Sequence, residues 1–270
     1  MTRLLIDSDA LLFTSLAATQ HEQVINEMGD TVLASDILEA RENYWYQVNT
    51  WQEKFHVREN EIFHLFSDKS AWRKSIYPQY KASRKTKRKP LCYTALRQEI
   101  LSNPNGFCYS AIEADDLIGL FATIDSDPDA DIPIIASVDK DLKQIPGWHV
   151  WMGREPELVN TADAERFTYQ QYLSGDPTDD IPGCPGIGVK RAAEKVATFD
   201  LSDEVGCWEE IVRTYEKAKV ELPEEFALLQ ARLVRIMRWG EYNTTTHEVI
   251  PWRPPVLTRR TPQSAASAKS

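Results

Sequence analysis

Apolar positions along this chain fall into two patterns, short unbroken runs and helical spacing. "RLLID" at 3–7 is a brief apolar run closed by Asp7 and predicts a buried strand. Residues 35–56 place Ile37, Leu38, Tyr44, Trp45, Val48, Trp51 and Phe55 on one helical face, with Ser35 as the expected N-cap. "EIFHLFSD" (61–68) predicts a second strand ending at Asp68, and "DIPIIASVDKD" (131–141) a third ending in Asp139 and Asp141. "WHVWM" (148–152) predicts a fourth. Residues 93–101 and 112–124 carry helical spacing. From Tyr169 onward the pattern is helical, with one Gly/Pro-rich turn at 182–188 and helices expected at 190–199, 203–219 and 223–238. The stretch from Pro254 lacks core residues and is expected to be a disordered tail.

Strands alternating with helices predict an α/β fold, a mainly parallel central sheet flanked by helices, with a helical C-terminal part. Ligands of such sheets bind beyond the carboxyl ends of the strands. One Asp after a strand is ordinary loop composition. Here three predicted strands end in acids, and Glu113, Asp115 and Asp116 open a helix in "IEADDLIG". A single acid there would complement the helix dipole, but three within four residues repel one another unless a cation neutralises them. Carboxylates suit Mg²⁺ or Mn²⁺ rather than zinc. Two such ions about 4 Å apart would generate hydroxide at neutral pH and polarise a phosphodiester. That chemistry needs no His, Ser or Cys nucleophile, and the sequence shows no arrangement for one.

Charge sharpens the picture. The 270 residues hold 31 basic and 41 acidic side chains, a net charge of −10. Yet Lys69 to Lys89 contains nine Lys or Arg and no acid, which leaves the remainder at 22 basic against 41 acidic. Trp72, Tyr77 and Tyr80 interleave with these cations, a composition suited to a single nucleic-acid strand through charge and stacking. A solvated basic loop is the plainer alternative. No apolar run approaches the roughly 18 residues needed to span a bilayer, and the apolar N-terminus is broken by Asp7 and Asp9. A cytoplasmic protein without membrane association is expected. The four cysteines have neither zinc-ligand nor redox-motif spacing.

A further element lies in "SGDPTDDIPGCPGIGVKRAAEKV" (174–196). Gly186 and Gly188 flank Ile187 just before a predicted helix, whose first turn carries Lys190 and Arg191. Backbone N–H groups at such a turn approach a phosphate closely. Asp176 and Asp179 precede it.

Taken together, "LLIDSDALLF", "FSDKSAWRKSIYPQYKASRKTKRKP", "IEADDLIG", "SVDKDLKQ" and "GDPTDDIPGCPGIGVKRA" resemble the 5′-nuclease (flap endonuclease) superfamily, and most of all its stand-alone phage 5′→3′ exonucleases. The pieces occur in family order over residues 3 to about 196. The resemblance implies one nuclease domain over 1–253: an α/β metal-site core (1–168) with a basic arch (69–90), a helix–three-turn–helix DNA-binding motif (169–199) and a helical C-terminal part (200–253), followed by the tail 254–270. It implies that Asp7, Asp68, Glu113 and Asp115 hold a first Mg²⁺, and that Asp139, Asp141, Asp176 and Asp179 surround a second, with Asp116 nearby. Mn²⁺ would substitute, and K⁺ would sit at the helix–three-turn–helix. Lys81 matches the lysine that approaches the scissile phosphate, Arg84 its basic companion, and Tyr80 an aromatic that stacks on a terminal base. Arg73, Lys74, Lys85, Lys87, Arg88 and Lys89, with Gly186, Gly188, Lys190 and Arg191, are the remaining expected DNA contacts. Two departures stand out. Ser8 stands where many members have Gly, next to an extra acid, Asp9, and Asp180 stands where many have Asn. Neither Asp9 nor Asp180 is counted as a ligand.

The expected activity is metal-dependent 5′→3′ exonucleolytic hydrolysis of duplex DNA, extending to 5′ flaps and to RNA paired to DNA. A structure-specific flap endonuclease with little exonuclease activity shares every motif. A non-catalytic DNA-binding protein is the rival from another class, and it has no use for so many acids beside DNA.

Overall fold

In the computed structural model, residues 2–84, 88–124 and 132–255 are described. In chain order the elements are β1 (Leu4–Asp7), α1 (Ser8–Ala18), β2 (Gln20–Val24), β3 (Thr31–Ser35), α2 (Ile37–Phe55), β4 (Ile62–Leu65), α3 (Arg73–Ile76), α4 (Tyr93–Leu101), β5 (Gly106–Phe107), α5 (Ala114–Ala122), β6 (Ile134–Ala136), β7 (Gly147–Val150) and β8 (Glu157–Val159). Then come α6 (Thr161–Ser174), α7 (Val189–Val196), α8 (Glu204–Lys217), α9 (Pro223–Val234), β9 (Tyr242–Asn243) and β10 (Glu248–Val249). Among the described residues no helix is long and apolar enough to cross a membrane. The chain forms two compact units. One comprises Met1–Ala71, Lys85–Asn160 and Ile236–Val249, the other Trp72–Arg84, Thr161–Arg235 and Ile250–Ser270.

The first unit is built on a six-stranded sheet of order β5-β4-β1-β6-β7-β8. Every pair is parallel except β7 with β8. β1 lies between two neighbours and is buried throughout, which is why it reads as an unbroken apolar run. On one face Leu4, Ile6, Ile134 and Ala136 pack with Leu12 and Leu16 of α1, Tyr44 and Val48 of α2, and Leu96 and Ile100 of α4. The pleat sends alternate residues to the other face. There Phe63, in register with Leu5, meets Phe121 of α5 at 5.3 Å between ring centroids. Helices therefore cover both faces, as the alternation of elements predicts. From β1 the chain builds outward to β4 and β5, then returns to add β6 on the other side of β1. That reversal opens the crevice in which doubly wound sheets bind ligands, at the carboxyl ends of β1 and β6.

Several boundaries differ from the sequence reading. α1 was not anticipated, because it follows β1 without a linker: Asp7 ends the strand and also caps the helix, its Oδ1 accepting the Ala10 N–H at 3.1 Å. The N-cap of α2 is Asp36, not Ser35. Asp36 Oδ1 accepts the N–H groups of Leu38 and Glu39, while Ser35 still belongs to β3, paired with Gln20. The hairpin of β2 and β3 was also unforeseen. β4 and β6 stop three residues before Asp68 and Asp139, so these acids sit in loops rather than at strand termini. The last long helix ends at Val234, not 238. Most of the expected tail, 256–270, lies outside the described residues.

The second unit holds α3 and α6 to α9. Tyr172, Leu173, Ala192, Val196, Trp208, Ile211, Tyr215 and Ala231 are buried in it, and the Tyr215 hydroxyl donates to the Tyr172 carbonyl at 2.6 Å. After α6 the chain doubles back on itself so tightly that a Cβ on Gly175 would stand 2.3 Å from the Ile181 carbonyl oxygen. Gly175 and Gly183 both have positive φ, so only glycine fits this crossing.

Candidate functional site

The first unit carries seven of the expected metal-binding acids. A hydrogen-bonded chain links those at the β1 and β6 ends. Asp7 Oδ2 accepts the Ser137 hydroxyl at 2.8 Å, Ser137 Oγ accepts the Asp139 N–H at 3.1 Å, and Asp139 Oδ1 accepts the Asp141 N–H at 2.9 Å. Asp139 thereby caps the 3₁₀ turn Lys140–Gln144 and presents Asp141 in its first turn. Burial pushes the Asp7 carboxyl up to about 6; the bonds from Ala10 and Ser137 oppose the rise, and the charges of Asp9 and Asp139 add to it.

Asp68 is positioned through its own backbone and side chain. Its N–H donates to the Ile112 carbonyl at 3.0 Å, and its Oδ2 accepts the Ala111 N–H at 2.9 Å and the Ser70 hydroxyl at 2.5 Å. Burial would raise its pKa, but these hydrogen bonds and the N–H groups of Lys69 and Ser70 outweigh it, so the carboxyl lies below its ordinary value. Glu113 occupies the N-cap position of α5 and Asp115 its first turn. The cap bond itself comes from elsewhere: the Ala114 N–H donates to Ser67 Oγ at 3.0 Å.

Asp116, the other acid in the first turn of α5, is placed deeper. It is fully buried, and its Oδ1 accepts the Met237 N–H at 3.3 Å. Gly119, one turn on, faces the same segment, since a Cβ there would stand 2.2 Å from the Met237 carbonyl oxygen. Asp116 thus lies on the face of α5 that packs against residues 236–239.

The second unit holds the other two acids and the foot of the basic segment. Asp176 caps the 3₁₀ turn Pro177–Asp179, accepting the Thr178 N–H at 2.9 Å. Asp179 pairs with Arg84 and stands 3.5 Å from Lys81 Nζ, while its carbonyl accepts the Lys81 N–H at 2.9 Å. Asp180, with φ of +59°, accepts the Ser83 N–H at 2.7 Å. Asn and Asp are the non-glycine residues that best tolerate this backbone region, which accounts for an acid standing where an amide is common. Lys81 also has positive φ, +56°.

Two expected DNA contacts are placed otherwise. Arg73 is buried and donates through Nε to the Leu233 carbonyl at 2.8 Å and through a terminal nitrogen to the Arg235 carbonyl at 2.6 Å. It therefore closes the C-terminus of α9 instead of facing solvent. Tyr80 is buried at 3% exposure, too little for a base to stack on, with Lys81 Nζ 4.8 Å from its ring centroid. Lys74, Arg88 and Lys89 are exposed, whereas Lys85 and Lys87 lie outside the described residues. Gly186, Gly188, Lys190 and Arg191 come together on an exposed turn at the start of α7. Arg191 donates to the Gly186 carbonyl at 2.9 Å. Gly186 has φ of +77°, a region that favours glycine; Gly188, an N-cap with φ of −86°, carries no such preference.

Sequence reasoning overlooked Ser67 and Ser137. Their signal was present: each lies just beyond a strand and precedes an acid by one or two positions, where a hydroxyl can bridge the strand end to the next element. As placed, no three His, Cys, Asp or Glu side chains among the described residues are gathered tightly enough to hold an ion. The donor set nevertheless fits a hard divalent cation. It is all oxygen, and the Asp7 carboxyl, raised chiefly by burial and further by the charges of Asp9 and Asp139, is one whose ionised form a cation would favour.

Comparison with known proteins bears on these elements. The model of the 5′-3′ exonuclease N-terminal resolvase-like domain matches residues 2–172. An exodeoxyribonuclease of Enterobacteria phage T3 is 26% identical, covering 93% of this chain and 92% of its own. An exonuclease of Escherichia phage T7 is 27% identical, covering 93% of each. The flap endonuclease Xni of Shewanella sp. (strain MR-4) is 35% identical over 49% of this chain and 55% of its own. Among solved structures, a bacteriophage T5 flap endonuclease in a pseudo-enzyme-product complex with DNA and metal ions superposes with a TM-score of 0.60 at 16% identity, covering 87% of this chain and 89% of that one. At that identity the likeness concerns the fold.

Proposed function

This chain belongs to the 5′→3′ exonuclease family, and from that premise we propose that it is a divalent-metal-dependent nuclease that removes nucleotides from the 5′ end of duplex DNA. Cleavage of 5′ flaps is part of the proposal, as the likeness to a flap endonuclease supports; hydrolysis of RNA paired to DNA is its extension. The observation that carries the reading is the chain of hydrogen bonds from Asp7 through Ser137 to Asp139 and Asp141, set in the crevice between β1 and β6.

In this reading Asp7, Asp68, Glu113, Asp115, Asp139 and Asp141 would hold Mg²⁺ or Mn²⁺. Bound there, the ions supply hydroxide at neutral pH and electrostatic stabilisation of a phosphodiester undergoing displacement. The protein's part is to hold the acids in place. Ser137 fixes the Asp7 carboxylate, Ala111 and Ser70 fix Asp68, and Ser67 fixes the start of α5. Lys81 and Arg84 are read as phosphate contacts, in a loop that Asp179 and Asp180 hold through the N–H groups of Lys81 and Ser83. Asp176 and Asp179 frame that loop, and the metal reading does not depend on them. The turn Gly186–Arg191 would grip the DNA backbone through its exposed N–H groups and cations, without reading bases.

The test is a product ladder. Duplexes labelled at 5′ or 3′ ends, nicked or bearing a 5′ flap, are incubated with protein and Mg²⁺. Release of short 5′ products from flush and nicked ends supports the exonuclease; cutting only at the flap junction supports the structure-specific alternative. No cleavage with Mg²⁺ or Mn²⁺ would overturn the reading.

A further inference from the structure

We propose that Asp9 is a positioning residue that binds the loop carrying Asp68, the start of the helix carrying Glu113 and Asp115, and the last cation of the basic segment into one frame of contacts. The inference rests on the reading of those acids as metal ligands. Asp9 is the acid that departs from the family pattern beside the first ligand, so a ligand role is its obvious alternative.

Both Asp9 oxygens accept hydrogen bonds. Oδ2 accepts the Ser67 N–H at 2.7 Å, and Oδ1 accepts the Tyr93 hydroxyl at 2.6 Å. Arg97 Nε stands 3.9 Å from Oδ1. The same arginine donates to the Ser67 carbonyl at 2.9 Å. Ser67 is thus held at three points, since its N–H goes to Asp9, its carbonyl accepts from Arg97, and its hydroxyl oxygen accepts the Ala114 N–H at 3.0 Å. Asp68 is the next residue after Ser67, and Ala114 lies between Glu113 and Asp115. A shift of Ser67 would therefore move three proposed ligands together.

The other Asp9 contact runs toward the basic segment. Lys89, its last cation, places Nζ 3.9 Å from the centroid of the Tyr93 ring. A cation over an aromatic face is attracted by the ring's negative quadrupole. By accepting the hydroxyl, Asp9 orients the ring on which Lys89 rests. Both bonds are charge-assisted and of the stronger kind, which suits Asp9 to hold Ser67 and Tyr93 in place.

The experiment uses the full chain without DNA. Mn²⁺ binding is measured by paramagnetic resonance of the free ion for the parent, Asp9→Asn, Asp9→Ala, Tyr93→Phe and the reference Asp7→Asn. Asp9→Asn retains an acceptor for Ser67 and a partner for the tyrosine hydroxyl, so it should keep Mn²⁺ affinity close to the parent's. Asp9→Ala should weaken it by about 10- to 100-fold, the usual consequence of removing a group that orients metal ligands. Tyr93→Phe, which deletes a single donor and keeps the ring, should show a smaller loss and serves where Asp9→Ala does not fold. Loss of Mn²⁺ binding in Asp9→Asn as complete as in Asp7→Asn would make Asp9 a ligand and overturn the proposal. Parent-like binding in both Asp9→Ala and Tyr93→Phe would overturn it too. Parent-like binding in Asp7→Asn would instead remove the metal reading on which it rests.

Discussion

Replacing Asp7 by Asn should stabilise the metal-free protein at neutral pH. Asp7 is buried, with its carboxyl raised from an ordinary 3.8 to about 6. A carboxyl whose folded value exceeds its unfolded one contributes full stability below the unfolded value and loses it as pH rises through the folded one. For Asp7 the loss runs from about pH 4 to about pH 6. Two units correspond to about 3 kcal/mol. Asparagine keeps the acceptor for Ala10 and sheds the charge, but it imperfectly replaces the oxygen facing Ser137, at a cost of about 1 kcal/mol. The net gain above pH 6.5 is then about 2 kcal/mol, or roughly 4–8 °C in Tm for a chain of this size. Urea unfolding in EDTA from pH 4 to 8 would measure it, taking the difference between variant and parent so that all other titrations cancel. The difference should be zero or slightly negative near pH 4, rise through pH 4–6 and level off. With Mn²⁺ added at pH 8 the order should reverse, because only the parent gains from binding. A pH-independent difference, or one that falls with pH, would refute the reasoning.

The other predictions concern chemistry and grip. Asp139→Ala or Asp141→Ala should nearly abolish cleavage while DNA affinity in Ca²⁺ holds or tightens; a variant cutting near the parental rate removes that residue from the site. Lys81→Ala should cost about a hundredfold in single-turnover rate at saturating protein, as for loss of one preorganised electrostatic donor, with little change in affinity. Neutralising Arg88 and Lys89 together should instead weaken binding and flatten its log–log salt dependence by roughly 0.7–0.9 for each phosphate no longer neutralised. Gly188→Val should fold normally, since its φ is −86°, yet weaken duplex binding by blocking backbone approach. Gly186→Ala should cost stability as well, on the order of 1–3 kcal/mol for a forced positive φ, measurable by thermal unfolding of both variants.

What the sequence disclosed depended on how local its signal was. β1 and β4 were legible because a central parallel strand is buried on both faces, and unbroken apolar runs such as "LLID" result directly. α1 was hidden by the dual use of Asp7, which closes one element and caps the next without a turn residue between them. The hairpin of β2 and β3 escaped because its strands are largely exposed and show no clean alternation. At the candidate site the acids were found by type and spacing. The serines that hold them were not, because a serine beside an acid looks like any polar loop.

The harder distinction was between neighbouring acids. Asp115 and Asp116 are adjacent, yet a helix turns them about 100° apart. Asp116 shares its direction with Gly119 and Thr123, three and seven residues on, and these three meet Met237 and Trp239. A glycine at that spacing marks close backbone approach, so Asp116 faces packed protein and its buried carboxylate needs a donor from it. Asp115 points elsewhere by the same geometry. Asp7 and Asp9 are separated in the same way: Asp7 still belongs to the strand, while Asp9 has entered α1 and reaches Ser67 and Tyr93. On the proposed function, one acid of each pair serves architecture and its neighbour chemistry. The phase of the element decides which, and residue type alone carries no such information.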